Sequence, residues 1–196
     1  MIVCFETIFQ VLAAVLLSPL LVGTVNRTKA FFAGRKGPPL LQPYYDLEKL
    51  FRKGAVYSRT TTWVFKAGPI VYFAASVSAL FLFPFGNSKS PLAFQGDLVL
   101  FTYLMALGRF MMLAAALDTG SSFEGMGASR EAQFSVFNEL AFSLGLMSLA
   151  VPSGKFSISE IFFTQPGSWE AWSVRILTAL VFLMVFLAEN ARIPVD

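Results

Sequence analysis

The sequence contains no histidine and one cysteine, Cys4, among its 196 residues. Iron–sulfur clusters need several Cys ligands, structural zinc needs four Cys or His ligands, and most haem proteins bind the iron through His. One Cys also excludes a disulfide within the chain, and the missing His excludes a Ser-His-Asp triad. We therefore expect no cofactor and no metal in this chain, so any redox centre belongs to a partner.

Charged residues are also scarce. They make up 14% of the chain against 56% hydrophobic residues, and the mean hydropathy is +0.64. Soluble domains carry about 25% charged residues, so the composition predicts a membrane protein. The net charge of +3 is too small to indicate nucleic acid or an acidic substrate as a partner.

Five apolar segments each approach the ~20 residues that a helix needs to cross a hydrocarbon core of ~30 Å. We predict an all-α, polytopic transmembrane protein, with a short interfacial amphipathic helix, in a single membrane domain over residues 1–196. The predicted spans are residues 2–25, 64–85, 97–117, 131–151 and 172–190, and the loops on one side are 26–63 and 118–130.

The distribution of basic residues predicts how the chain is oriented in the membrane. Residues 26–63 contain eight Lys or Arg against two acidic residues, so the positive-inside rule places this loop in the cytoplasm and the N-terminus outside. The first span has no basic segment before it, which favours a retained helix over a signal peptide. Residues 118–130 and the C-terminal "ARIPVD" then also face the cytoplasm, and the protein is expected in the cytoplasmic membrane.

The first cytoplasmic loop contains "GRKGPPLLQPYYDLEKLFRKG", residues 34–54. Its prolines predict an extended segment, and from Pro43 the apolar residues fall on one helical face until Gly54 ends the helix. One interpretation is a helix lying on anionic lipid headgroups, and the other is a docking platform for a soluble partner. The residues assigned to docking are Arg35, Lys36, Gln42, Asp46, Leu47, Leu50 and Phe51.

The second cytoplasmic loop, "LDTGSSFEGMGASREA", is rich in glycine and serine. Its glycines suit either a flexible loop or a tight return toward a binding surface. Ser129 is the predicted N-cap of the following helix. Arg130 is a further docking candidate.

Charged residues inside the predicted spans indicate function. Arg109 and Glu139 each lie nine residues from the cytoplasmic end of a span, at a depth of about 13 Å. A lone charge there costs about 2.5–3.5 kcal/mol, so each side chain needs a partner or a wet cavity. One interpretation is static pairing, of Arg109 with Glu139 and of Glu189 with Arg192. The other is a path for protons or ions through Glu139 and Glu189.

Three motifs carry a resemblance to a known family. "GRKGPPLLQPYYDLEKLF" resembles the first-loop signature of the quinone-site membrane subunit (subunit 1, or H) of respiratory complex I, and "LAENARIPVD" resembles its Ala-Glu-x-x-Arg-x-Pro-x-Asp motif. "LDTGSSFEGMGASREA" is closer to the homologous subunit of group 4 energy-converting NiFe hydrogenases and formate hydrogenlyases. The resemblance covers nearly the whole chain.

The resemblance implies a membrane subunit that anchors a soluble redox arm and connects it to ion-pumping subunits. The implied partners are hydrogenase-like small and large subunits, which hold a 4Fe-4S cluster and the NiFe centre, antiporter-like membrane subunits, and lipid, but not nucleic acid. By motif, the ion path includes Glu139, Glu189 and Asp196, and Arg192 joins the docking residues. Arg109 is assigned to the ion path only because of its predicted depth in the membrane.

Alternatives remain open at the sequence level. A complex I subunit would use the same surface to bind a quinone, and a stand-alone transporter is a third possibility that five spans without a recognisable inverted repeat disfavour. Members of the family continue past this motif into further membrane helices. We therefore expect those helices in a longer chain or in a separate one.

Overall fold

The computed structural model describes residues 2–85, 89–164 and 167–189, with side chains from residue 8 onward. This part of the chain is all-α, which confirms the predicted fold class, and five of its helices are long and apolar enough to cross a membrane. The seven helices described are α1 (Ile2–Phe32), α2 (Gln42–Phe51), α3 (Trp63–Leu80), α4 (Asp97–Asp118), α5 (Ser122–Ser153), α6 (Ile158–Phe163) and α7 (Trp169–Glu189).

The chain divides into two compact units, residues 1–57 and 58–196, here called unit 1 and unit 2. In each of the five long helices, no more than 22% of the most apolar window is buried inside the protein. The remaining apolar side chains point outward, as they do in a helix that contacts lipid tails. The five spans therefore agree with the membrane protein predicted from composition.

Unit 1 packs α2 against the middle of α1. Pro19 has no N–H, so the carbonyl of Val15 loses its helical donor, and the Ser18 hydroxyl donates to that carbonyl at 3.0 Å. The hydroxyl of Tyr44, on α2, donates to the carbonyl of Leu16. A Cβ on Gly23 would lie 2.2 Å from the Leu40 carbonyl oxygen, so only glycine permits this approach.

Helix α2 is the interfacial helix predicted from the sequence. Its first turn contains Pro43, which is tolerated there because the first helical N–H groups need no partner. None of its residues is buried, and Phe51 is 88% exposed. Much of its apolar face therefore remains exposed in unit 1.

Unit 2 is a row of helices in the order α3, α4, α5, α7, and each packs against the next. Glycine allows close contact between neighbours: a Cβ on Gly68 would lie 2.7 Å from the Ala115 Cβ, and one on Gly145 would lie 2.5 Å from the Phe182 ring. Such small-residue contacts are typical of membrane helices, whose association depends on packing and not on the hydrophobic effect.

Two aspartates, one at each end of α4, accept hydrogen bonds from neighbouring segments of unit 2. The Asp118 carboxylate accepts from the Thr62 N–H at 2.7 Å, the Thr62 hydroxyl at 2.8 Å and the Phe65 N–H at 3.2 Å, and so caps α3. Asp97 is fully buried and accepts from the Ile158 N–H at 2.7 Å and the Ser157 hydroxyl at 2.8 Å. We name these the Asp118 end and the Asp97 end.

The structure differs from the sequence prediction in the segment before Arg130. Residues 122–130, predicted as loop, form the first turns of α5, and the N-cap is Ser121 instead of Ser129. The Thr119 hydroxyl donates to Glu124 at 2.5 Å, and Ala128 is buried. These contacts outweigh the low helix propensity of Gly125 and Gly127, which amounts to about 1 kcal/mol per glycine.

Candidate functional site

Three helices of unit 2 meet at one partly buried ion pair. The Arg109 guanidinium, on α4, donates to the Glu189 carboxylate, on α7, at 2.5 Å. The same nitrogen donates to the hydroxyl of Ser135, on α5, at 3.3 Å. The two charged side chains are 18% and 26% exposed. The pair lies within helices that cross the membrane, where a charge requires such a partner.

Further polar groups of α5 surround this pair. The Asn138 side chain hydrogen-bonds Glu189, and Glu131 and Glu139 are near enough to interact electrostatically with it. Glu131, Ser135 and Glu139 follow one another at intervals of four residues and so share one face of α5. The result is a polar stripe through the first half of α5, with the ion pair beside its middle member.

This arrangement corrects one pairing considered from the sequence. Arg109 and Glu139 do occupy neighbouring helices, but the ion-pair partner of Arg109 is Glu189. The long Arg side chain reaches past α5 to α7, and sequence spacing could not reveal that α7 packs on the far side of α5. The alternative pairing of Glu189 used Arg192, which, like Pro194 and Asp196, lies outside the described residues.

A cavity of about 600 Å³ adjoins the ion pair. Carboxylates of α5 line it together with Arg109 and Glu189, and most of the remaining wall consists of Leu, Met and Ala side chains, with Tyr72 and Ser76 contributed by α3. It extends from the first turn of α5 to Leu104, which lies about 20 Å along α4 from Asp118. Its acidic residues are Glu124, Glu131 and Glu189.

A second cavity, of about 470 Å³, lies within unit 1 between α1 and α2. Proline and aliphatic side chains form most of its wall, and the Gln42 amide donates to the Asp46 carboxylate at 3.0 Å on its polar side. Leu47 and Leu50, from the apolar face of α2, also line it and remain 41% and 62% exposed. Four of the predicted docking residues, Gln42, Asp46, Leu47 and Leu50, thus line a groove of their own unit.

The predicted basic docking residues are on the surface. Arg35 and Lys36, in unit 1, and Arg130, in unit 2, are each exposed. Their role in docking stays a prediction.

Sequence reasoning missed three residues. Ser135 and Asn138 could have been found as the polar members of the α5 stripe that also contains Glu131 and Glu139. Arg175 lies inside the predicted fifth span and was not considered. Its guanidinium donates to the carbonyls of Thr164 and, at 3.4 Å, Ile161, so that it caps the end of α6.

Among the residues that the structure describes, no group of three or more His, Cys, Asp or Glu side chains could hold a metal ion. The acidic residues of the cavity belong to a hydrogen-bonded ion pair and to separate turns of α5. What the arrangement offers chemically is a set of carboxylates at different depths beside a cavity, which is suited to binding and releasing protons or cations.

The sequence and fold match known membrane proteins. A family model described as NADH dehydrogenase matches residues 5–196. The chain is 32% identical over 187 residues to hydrogenase-4 component C of Escherichia coli K12, covering 95% of this chain and 59% of that protein. It is 36% identical over 192 residues to formate hydrogenlyase subunit 4 of the same organism, covering 96% and 62%.

Among solved structures, a chain of the membrane-bound sulfane sulfur reductase, an archaeal respiratory membrane complex, matches with a TM-score of 0.78 and 26% identity. The match covers 96% of this chain and 62% of that one. The chain therefore spans 59% to 62% of the length of these three relatives.

Proposed function

The chain belongs to the NADH dehydrogenase family and is a membrane subunit of the complex I and hydrogenase type, and from this we propose its specific role. It anchors the soluble redox arm of an energy-converting NiFe hydrogenase and couples electron transfer to the translocation of protons or sodium ions. Both E. coli relatives bear names of hydrogen-metabolising complexes, which supports the hydrogenase branch. The 4Fe-4S cluster and the NiFe centre reside in partner subunits.

The observation that carries this proposal is the Arg109–Glu189 ion pair beside the acidic cavity. A carboxylate held by a single guanidinium exchanges a proton when that contact opens, and the cavity gives water access to it. Glu139, farther along α5, is the next carboxylate inward from Glu131. The path runs from the cavity through Glu189 toward Glu139.

We assign the Asp118 end to the cytoplasm, because the basic loop that precedes α3 belongs there by the positive-inside rule. The cavity, whose lining begins at Glu124 near this end, is then open toward the redox arm. In this orientation the apolar face of α2 and the exposed residues Arg35, Lys36 and Arg130 are available to the arm.

Substituting Glu189 or Glu139 with Gln tests the coupling role. Gln retains the shape and hydrogen bonds of the side chain but removes the exchangeable charge, so the complex should assemble while coupled ion uptake falls strongly. Assembly yield and ion uptake by sealed vesicles are measured together. Glu→Asp at the same positions should retain part of the uptake, because the carboxylate persists.

Two results would contradict the proposal. Normal ion uptake by a fully assembled E139Q/E189Q variant would show that the carboxylates carry no ion. Loss of assembly in E189Q, with an accompanying loss in R109M, would show that the pair is a static contact, since removing one partner leaves the other charge unpaired in a largely apolar environment.

The quinone-binding role of a complex I subunit is the second candidate. The unit 1 groove favours it, because an apolar channel with a polar Gln42–Asp46 edge suits an isoprenoid quinone. Electron transfer that stops when quinone is extracted from the vesicles and resumes when it is restored would favour this candidate over the hydrogenase.

A further inference from the structure

Arg109 makes one further contact beside its ion pair with Glu189, a hydrogen bond to Ser135. Ser135 is 7% exposed, and its hydroxyl accepts a hydrogen bond from the Arg109 nitrogen that also binds Glu189. One guanidinium is therefore held by acceptors on two different helices, α5 and α7.

Arg109 has several possible partners at this place. Glu131, from α5, lines the same cavity, Glu139 lies one turn past Ser135, and α3 contributes Tyr72 to the wall. A guanidinium on a flexible stem, with five donors, can pair with any carboxylate within reach. A further contact is therefore needed to explain why Arg109 pairs with Glu189 and not with a carboxylate of α5.

The position of Ser135 accounts for this selection. It lies four residues after Glu131 and four before Glu139, between the two competing carboxylates of α5. By accepting a hydrogen bond it fixes the guanidinium at the middle of the stripe, turned toward α7. Because the Ser135 side chain is buried, no water molecule replaces it easily as an acceptor.

We propose that Ser135 is a positioning residue that acts through Arg109, directing its positive charge to Glu189 in preference to the carboxylates of α5. This inference rests on the proposed coupling role of Glu189 and names the residue that sets the charge balance there. A hydroxyl at position 135 is required for a single, defined ion pair.

The test is Ser135→Ala in the whole complex, reconstituted in sealed vesicles. Coupled uptake is measured against pH, for protons with a pH-sensitive dye and for sodium with radioactive sodium. A carboxylate that is less firmly paired with a cation takes up a proton at higher pH. As the pH is lowered, uptake by S135A should therefore begin to fall at a pH about 0.5 to 1 unit higher than in the wild type. Ser135→Thr, which keeps the hydroxyl, should restore the wild-type profile.

Ser148→Ala is the matched control. Ser148 is on the same helix, and its hydroxyl shares a hydrogen bond of 2.9 Å with Thr178 of α7, away from the ion pair. Its removal deletes an interhelical hydrogen bond of α5 but leaves Arg109 and Glu189 in place. An equal shift of the profile in S148A would mean that helix packing alone is responsible, and would overturn the proposal.

Failure of this inference can be separated from failure of the coupling role. If E189Q abolishes uptake while the S135A profile coincides with the wild-type profile, Glu189 is needed but Ser135 does not position its partner. If E189Q pumps normally, the coupling role itself fails. Should S135A assemble poorly, Ser135→Cys, of similar volume but with a weak acceptor, gives the same readout.

Discussion

At the scale of single residues, the sequence indicated that charged groups of neighbouring helices lie at a common level but did not identify the partner of each. Counting residues along two antiparallel helices located Arg109 and Glu139 at one level, and the structure does bring charged groups together there. The partner on α7 follows from the order of helices in the bundle, which no spacing along the chain encodes. Buried hydroxyls such as Ser135 give even less signal, because serine is common in membrane helices.

Asp97 illustrates a buried charge with a structural role. It is completely inaccessible and accepts two hydrogen bonds from the start of α6. Asp97→Ala should lower the free energy of unfolding by about 1–3 kcal/mol, because the Ile158 N–H and the Ser157 hydroxyl lose their acceptors. Thermal stability of the purified complex measures the loss.

Asp97→Asn is the matched control for that prediction. The amide keeps one acceptor oxygen for the Ile158 N–H, and its NH₂ group can donate to the Ser157 oxygen. The loss of stability should be much smaller than in D97A. Equal losses in both variants would indicate that the negative charge, and not the hydrogen bonding, stabilises this turn.

At the scale of helices, hydropathy and turn residues predicted most of the structure. The proline at position 43 and the amphipathic pattern after it located α2 almost to the residue, since both signals are local. The first turns of α5 were missed because glycine-rich sequence usually forms loops. Contacts of Glu124 and Ala128 with neighbouring residues overrode that preference, and such tertiary contacts leave no periodic pattern.

We expect opposite effects on stability from adding a methyl group at Gly68 and at Gly125. Gly68→Ala would place a Cβ 2.7 Å from the Ala115 Cβ and 2.9 Å from the Met111 carbonyl oxygen, so α3 and α4 would have to separate. Overpacking of this kind costs about 1–3 kcal/mol. Gly125, near the start of α5, has no neighbour within 4 Å of such a Cβ.

Gly125→Ala should therefore stabilise α5 by about 0.5–1 kcal/mol, because alanine loses less conformational entropy in a helix. Melting temperatures of the two variants should move in opposite directions. A melting temperature that is unchanged in G68A would contradict the close approach of α3 and α4.

At the scale of the whole molecule, the exposed α2 face predicts how the subunit joins its complex. Leu47, Leu50 and Phe51 are 41%, 62% and 88% exposed. Substituting all three with Ser removes about 1.5–3 kcal/mol of burial per side chain, if a partner covers them. The soluble arm should then dissociate while the membrane spans stay inserted, as measured by a pull-down from solubilised membranes.

Val56→Ser is the control, since Val56 is 97% exposed in the same loop but outside α2. It should leave the arm bound. If the triple variant retains the arm as firmly as V56S does, α2 lies on lipid and has no part in docking. That result would leave the other interpretation of the first loop, a helix on the headgroups, as the correct one.

The aromatic contacts of unit 2 have an electrical consequence. Phe101, Phe142 and Phe182 of α4, α5 and α7 form a row with ring centroids 6.0 and 5.3 Å apart. Phe101 precedes Arg109 by eight residues, so the row crosses the bundle about 12 Å beyond the ion pair. A charge moving straight on toward the Asp97 end would meet rings of low polarity that offer it no hydrogen bonds, and its desolvation there would cost several kcal/mol. In an energised membrane 100 mV is worth about 2.3 kcal/mol per elementary charge, so, under the proposed coupling role, we expect an ion that enters through the cavity to leave the bundle sideways instead of crossing this row.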